Sequence, residues 1–142
     1  MSDLAQASSW HESDALRLTV PAEIDRVREV REAARGYAEL HGVLRPDDVA
    51  LAVGEACCNV VMHAYNGREP GPMTLHCEPT PGGVSIVVED YGSGLTPRPD
   101  SPGLGLGLPI IAQVADDFEV SDLGHTGTRV RMGFATNGRV VR

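Results

Sequence analysis

Three short blocks, in fixed order between Glu55 and Gly107, constrain this chain more than any other feature of its sequence. They are Glu55-Ala56-Cys57-Cys58-Asn59, Asp90-Tyr91-Gly92-Ser93-Gly94 and Gly103-Leu104-Gly105-Leu106-Gly107. Carboxylates, amides and glycines recur by chance in any sequence, so each block alone indicates little. Their meaning depends on whether the chain places them on a helix, at a strand end and before a second helix.

The chain has 142 residues, which suits one domain with a core of its own. We expect a flexible lead-in over 1–15, a single globular domain over 16–136 and a short tail over 137–142. The lead-in lacks the basic and apolar regions of a secretory signal, and no apolar stretch is long enough to span a bilayer. These features predict a cytoplasmic protein that does not enter a membrane.

The charged residues exclude several classes of function. The formal net charge is -8, from 20 acidic and 12 basic residues, so the field of the molecule would repel a nucleic acid. All of the basic residues are arginine. A Walker A loop needs a lysine on the phosphates, and the usual protein kinase fold needs one on its third strand. The absence of lysine excludes both.

Cysteine and histidine give no sign of a metal or redox site. Cys57 and Cys58 are adjacent, a spacing that suits neither a zinc site nor a redox pair, so we expect them and Cys77 to be reduced core or near-core residues. The five histidines are scattered without metal-ligand spacing, and we assign them no metal.

The periodicity of apolar residues predicts the order strand, two helices, two strands, one helix, two strands. The predicted strands cover 16–20, 73–78, 84–90, 118–123 and 128–134, and the predicted helices cover 22–40, 46–64 and 108–115. Val84, Ile86 and Val88 form an inward-facing row, and a longish turn over 79–83 joins their strand to the one before it. This order favours a two-layer α/β sandwich, with a mixed, largely antiparallel sheet and its helices on one face.

The first block lies on the second predicted helix. Glu55 and Asn59 are four residues apart, so they project from the same face and could share a ligand. The amide oxygen of Asn59 is a suitable ligand for Mg²⁺, and Glu55 could accept a proton from an attacking hydroxyl or water. The alternative is a solvated polar pair on a surface helix.

The second block follows a strongly apolar strand. Asp90 would emerge at the strand end beside Gly92 and Gly94, where its carboxylate could accept a hydrogen bond from the exocyclic amine of adenine. The glycines would let a flat base approach the backbone closely. The alternative is a plain turn that contains Asp and Gly.

The third block precedes a predicted helix start near Leu108. Gly103, Gly105 and Gly107 would present free backbone N–H groups to phosphates there, although their spacing does not match the dinucleotide-binding fingerprint. The alternative, compatible with the first, is a hinge for a short proline-rich lid over 96–102.

Taken together, these blocks resemble the GHKL (histidine-kinase-like) ATPase superfamily, and within it the small branch of bacterial anti-sigma factors and serine-protein kinases. The resemblance runs from about Leu16 to Phe134. The first block, continued to His63-Ala64-Tyr65, is similar to the N box, and the other two are similar to the glycine boxes. Gly127-Thr128-Arg129-Val130 resembles the closing strand. The resemblance implies the Bergerat ATP-binding fold.

The resemblance also implies roles for individual residues. Asp90 would bind adenine, Thr128 would support the base through water, Asn59 would bind Mg²⁺ and Glu55 would be the general base. The branch carries an arginine on its first helix that helps at the γ-phosphate, and Arg28 aligns best with it. Arg26 and Arg31 lie within alignment error of that position, and a solvated helix face is the alternative for all three.

The implied function is an ATP-binding anti-sigma factor that phosphorylates a serine or threonine of an anti-anti-sigma (STAS-type) partner and also binds a sigma factor. The short lid, with Arg98 as its one cation, leaves a second function open: a regulator that sequesters its partner and transfers little or no phosphate. A histidine kinase catalytic domain is disfavoured, since no room for a phosphoacceptor hairpin exists before Leu16. Whether the chain forms a homodimer stays open.

Overall fold

A computed structural model of the chain describes residues 14–66, 68–92, 108–123 and 126–136. Several predictions fall outside these ranges. They concern most of the lead-in, the lid over 96–102, the glycines Gly94, Gly103, Gly105 and Gly107, and the tail over 137–142.

Five strands form one sheet, in the order β1-β2-β3-β5-β4. They are β1 (Leu16–Pro21), β2 (Pro72–Thr80), β3 (Gly83–Asp90), β4 (Asp117–Asp122) and β5 (Thr128–Ala135). Each of the four pairings between these strands is antiparallel. The expected largely antiparallel sheet is therefore confirmed, with no parallel pair among the described strands.

The predicted order of elements is also confirmed, with helices between β1 and β2 and between β3 and β4. They are α1 (Val27–Leu40), preceded by a short 3-10 turn (Ile24–Arg26), then α2 (Pro46–Asn59), continued by a π-helical segment (Val60–Ala64), and α3 (Leu108–Val114). In the described residues, no helix combines the length and the apolar character needed to cross a membrane.

The first helix begins later than the periodicity predicts. The backbone N–H of Ala22 donates to the carbonyl of Gly71 at 2.8 Å, and Glu23 N–H donates to Pro21 at 2.8 Å. These bonds hold Ala22 and Glu23 in a bend against Gly71, the residue before β2, ahead of the first helical turn. Ile24, counted in the apolar stripe, is 63% exposed as a result.

The end of α1 agrees with the prediction that Gly42 closes the helix. Gly42 has φ 81, and the N–H of the following Val43 donates to the carbonyl of Ala38 at 2.9 Å. This six-to-one bond is the Schellman ending, which requires a left-handed residue that glycine adopts without strain.

The core lies between one face of the sheet and the helices. The predicted inward row is confirmed, since Val84, Ile86 and Val88 are all buried. Across the sheet, Val88 pairs with Leu75 on one side and Val130 on the other. These apolar rows supply most of the stabilising burial, at about 25 cal/mol per Å² of apolar surface.

The opposite face of the sheet carries charged residues. Arg129 pairs with Glu89 at 2.6 Å, and Arg131 pairs with Asp117 at 2.6 Å. Exposed pairs of this kind contribute little to stability, roughly 0–1 kcal/mol. Their presence shows that the described helices cover only the apolar face, which makes the fold a two-layer sandwich.

The turn between β2 and β3 is shorter than predicted. Thr80 pairs with Gly83, so only Pro81 and Gly82 lie between the paired residues. Gly82 has φ 79, and a proline followed by a left-handed glycine is typical of a tight type II turn. Three residues of the predicted turn over 79–83 therefore belong to the strands: Pro79, Thr80 and Gly83.

The cysteines behave as expected. Cys57 and Cys77 are fully buried, Cys58 is half-buried, and all three are unpaired in the described structure. Burial raises the pKa of Cys57 and of Cys77 to about 12, so both thiols stay protonated at neutral pH.

Gly127 provides a test of this packing. It has φ 129, and a Cβ added there would lie 2.0 Å from the carbonyl oxygen of Asp90. Gly127→Ala should lower the free energy of unfolding by more than about 2 kcal/mol, because the backbone at Gly127 or at Asp90 and Tyr91 must move to make room for the Cβ. Urea unfolding measures the change.

Gly36→Ala is the matched control. A Cβ at Gly36 would meet no heavy atom within 4 Å, and the residue is exposed inside α1. Alanine there should raise the free energy of unfolding by about 0.5–1 kcal/mol. Equal effects of the two substitutions would contradict the close contact at Gly127.

Candidate functional site

A pocket lies between the C-terminal part of α2 and the ends of the central strands. Its apolar walls come from β3, β4 and β5 on one side and from α2 and the π segment on the other. The residues that line it are Ala56, Asn59, Val60, His63, Ala64, Val88, Asp90, Leu108, Val120, Thr128 and Val130.

Asp90 is the carboxylate among the residues that line this pocket. It continues the inward row of β3 two residues after Val88, so the alternation of the strand turns its side chain toward the helices. Only 4% of it is exposed. Its partner across the sheet is Thr128, the first residue of β5, which also lines the pocket.

The surroundings of Asp90 affect its charge in opposite directions. Burial raises the pKa of the carboxyl, and the neighbouring Glu89 raises it further. Backbone N–H groups of Gly92 and Thr128 donate to the carboxylate and lower the pKa. The Gly92 bond, to Oδ1, is 2.9 Å long. The net effect is an increase, as expected for an acid whose desolvation is incompletely offset.

Gly92 packs tightly against the end of the π segment. A Cβ at this position would lie 2.0 Å from the carbonyl oxygen of Ala64. Glycine was expected here because a ligand ring would approach closely, whereas the contact that the structure shows is with protein backbone. The close approach brings the Asp90-Tyr91-Gly92 corner against the helix that carries Asn59.

Asn59 is the last residue of α2, is half-buried and lines the pocket. Glu55, one turn earlier, is also half-buried but is not among the residues that line the pocket. Burial raises the pKa of the nearby Cys58 thiol, Glu55 raises it further and Arg31 lowers it. Glu55 and Arg31 therefore both lie close to Cys58.

The three candidate arginines on and before α1 lie in different surroundings. Arg28 is exposed, and Arg26 pairs with Glu29 at 2.9 Å. Arg31 crosses to α2, where a Cβ added at Gly54 would lie 2.9 Å from its Cδ. The assignment of Arg28 to the γ-phosphate stays a prediction, and of these three arginines Arg31 is the one shown to contact the helix bearing Glu55.

Some pocket residues received no role from the sequence. His63 lies four residues after Asn59, a spacing that could have indicated a shared face. Leu108 and Val120 come from separate parts of the chain, and no local pattern connects them with Asp90. Their place in the pocket follows from tertiary packing alone.

The arrangement suits a flat, largely apolar ring that carries a hydrogen-bond donor. Val88, Val120 and Val130 form an apolar wall from three neighbouring strands, and the carboxylate of Asp90 adjoins it. A donor on the ring that meets this carboxylate would compensate for the cost of burying it.

The buried carboxyl predicts a pH-dependent effect of Asp90→Asn. Since folding raises the pKa, the folded chain binds this proton more tightly than the unfolded chain, and the charged carboxylate destabilises the fold above the folded pKa. Asparagine removes that cost, so the ligand-free variant should be more stable than wild type at neutral pH. The gain should shrink as the pH falls through the folded pKa.

Urea unfolding of both proteins at neutral and acidic pH measures this difference. Asp25→Asn, at an exposed position before α1, is the control and should show little change. A stability difference between wild type and Asp90→Asn that is the same at both pH values would contradict the burial cost.

Comparison with known proteins agrees with this geometry. Residues 20–134 match the family described as histidine kinase-like ATPase domain. The chain is 33% identical over 129 residues to the serine-protein kinase RsbW of Halalkalibacterium halodurans, covering 79% of this chain and 78% of that protein. It is 33% identical over 96 residues to the anti-sigma F factor of Clostridium novyi, covering 60% of this chain and 67% of that protein.

A solved structure shows the same fold. The histidine kinase AdeS of Acinetobacter baumannii superposes with a TM-score of 0.50 and 15% identity, over 84% of this chain and 68% of that one. The family match covers most of the chain, and it includes Glu55, Asn59, Asp90 and Thr128. The chain therefore belongs to the histidine kinase-like ATPase family, in the branch that contains anti-sigma F factors and serine-protein kinases.

Proposed function

We propose that this protein is an ATP-binding anti-sigma factor with serine/threonine protein kinase activity. The observation that carries the proposal is the buried carboxylate of Asp90, which adjoins an apolar wall and lies opposite Thr128 in a pocket that Asn59 also lines. Membership of a histidine kinase-like ATPase family supports ATP as the ligand.

The pocket would bind the base of ATP. Asp90 would accept a hydrogen bond from the exocyclic amine of adenine, and the valine wall would pack on the ring. Thr128 would support the base through a water molecule. Guanine carries a carbonyl where adenine carries the amine, so the Asp90 carboxylate would disfavour it.

The phosphates would extend from the base toward Asn59 and the glycine block at Gly103, Gly105 and Gly107. Mg²⁺ would neutralise charge on these phosphates. The amide oxygen of Asn59 fits this ion, because Mg²⁺ prefers oxygen ligands and binds through few protein groups together with phosphates and water. Arg28 or another arginine of the first helix would add positive charge at the γ-phosphate.

Glu55 would be the general base for transfer. The hydroxyl oxygen of a partner serine or threonine forms a bond to the γ-phosphorus, the bond from that phosphorus to the bridging oxygen breaks and ADP leaves. The hydroxyl proton passes to the Glu55 carboxylate. Positioning and charge neutralisation supply most of the rate in such reactions.

The name of the anti-sigma F factor relative supports a sigma factor as the regulated partner. The phosphoacceptor would be an anti-anti-sigma protein of the STAS type, which is the partner that the resemblance of the sequence motifs implies. The net charge of -8 argues against direct contact with nucleic acid. The proposed setting is the cytoplasm, where transcription is regulated.

Calorimetric titration of ATP, with and without Mg²⁺, tests the nucleotide site. Wild type should bind ATP more tightly with Mg²⁺, and Asp90→Asn should reduce the affinity by about 10-fold or more, because the base loses a charged hydrogen-bond acceptor. Folded wild type that binds no ATP would overturn the proposed function and leave a partner-binding domain as the better description.

Transfer is tested separately with Glu55→Ala and an anti-anti-sigma protein from the same organism. Loss of a general base should slow phosphorylation by about 10²–10⁴-fold while ATP affinity stays near the wild-type value. Glu39→Ala is the control, since Glu39 is exposed on α1 away from the pocket. Equal loss of transfer and ATP affinity would contradict the role of Glu55.

The second candidate function is a regulator that binds ATP and sequesters its partner with little or no transfer. Glu55 does not line the pocket, which is the observation in its favour. Tight ATP and partner binding by wild type, without any phosphorylated partner by mass spectrometry, would establish this second function.

A further inference from the structure

The side chain of Tyr65 joins three parts of the fold beside the pocket. Tyr65 directly follows the π segment, and its hydroxyl donates to the carbonyl of Pro72, at the start of β2, at 2.6 Å. The same oxygen accepts the backbone N–H of Tyr91, just after β3, at 2.9 Å. Its ring also packs on Gly71, where an added Cβ would lie 2.4 Å from a ring carbon.

The Tyr91 N–H belongs to the peptide unit whose carbonyl is that of Asp90. Because a peptide unit is planar, a bond to its N–H and a contact at its oxygen together set the orientation of the plane. The oxygen side packs on Gly127, where an added Cβ would lie 2.0 Å from it. Tyr65 therefore restrains this peptide unit at its N–H, and Gly127 restrains it at its carbonyl oxygen.

This peptide plane is joined directly to Asp90, whose side chain lines the pocket. The carboxylate is oriented locally by the N–H of Gly92, which belongs to the next peptide unit. Gly92 itself packs on the carbonyl of Ala64, the residue before Tyr65. Two successive residues, Ala64 and Tyr65, thus contact the turn that follows Asp90: Ala64 at Gly92 and Tyr65 at Tyr91.

We propose that Tyr65 is a positioning residue for the nucleotide base: its hydroxyl holds the Asp90-Tyr91 peptide so that the Asp90 carboxylate meets the exocyclic amine of adenine. The inference rests on the proposed function, because it assumes that Asp90 receives the base. Burial raises the pKa of Tyr65, so the hydroxyl stays protonated and can donate to Pro72 while it accepts from Tyr91.

Tyr65→Phe removes both hydrogen bonds and keeps the ring that packs on Gly71. Both bonds lie at an exposed part of the surface, so water can replace them, and the melting temperature should stay close to wild type. Tyr37→Phe is the matched control. Tyr37 lies on helix α1, remote from the pocket, and its hydroxyl donates to the backbone carbonyl of Asp14 at 2.6 Å. The substitution therefore also removes a hydroxyl bond to a backbone carbonyl.

The measurement is the affinity of each variant for ATP and for purine riboside triphosphate, which lacks the exocyclic amine. Wild type should prefer ATP by about 10-fold or more, since the analogue brings no hydrogen-bond donor to the Asp90 carboxylate. Tyr65→Phe should weaken ATP binding several-fold and change analogue binding little, so the preference falls. Asp90→Asn should largely remove the preference for ATP, and Tyr37→Phe should leave this preference unchanged.

The outcomes separate the two proposals. No ATP binding by folded wild type would overturn the proposed function itself. Wild type that prefers ATP, with the preference reduced in Asp90→Asn but intact in Tyr65→Phe, would overturn the role of Tyr65 alone. A proportional loss of affinity for both nucleotides in Tyr65→Phe would also overturn it, because a general weakening of the fold does not distinguish the amine.

Discussion

The pocket depends above all on the antiparallel pairing of β3 with β5. This pairing sets Asp90 opposite Thr128 and Val88 opposite Val130. The register of these two strands therefore places both the buried acid and part of the apolar wall. Side chains alternate along a strand, and a slip of one residue would turn both rows to the charged outer face. The same hydrogen bonds that hold the sheet together therefore also decide whether a site exists.

Burial of Asp90 has a cost that links stability to binding. Its carboxylate is removed from water, and two backbone N–H groups compensate for only part of the lost hydration. A ligand that brings a hydrogen-bond donor to this carboxylate compensates further. The same burial that lowers the stability of the protein without ligand therefore favours ligand binding. Close backbone contacts at Gly92 and Gly127 keep the acid in place, since neither position has room for a Cβ.

Much of the fold follows from local pattern. The order of the elements, the inward row of β3 and the glycine ending of α1 were all predicted, because strand alternation, helical spacing and a left-handed glycine act over a few residues. The error at the start of the first helix has a non-local cause. Ala22 stays out of the first helix because its N–H bonds to Gly71, and this partner lies 49 positions further along the chain.

The sequence by itself determined the family and the order of strands and helices, and it supplied the candidate residues for the proposed chemistry: Glu55, Asn59, Asp90 and Thr128. These are properties of short motifs whose side chains and spacing can be read directly. Only the tertiary structure decided that Asn59, Asp90 and Thr128 share one pocket and that Arg31 crosses to the helix of Glu55. It also decided that Tyr65 joins the ends of three elements. Such contacts depend on packing between distant segments, which no local periodicity specifies.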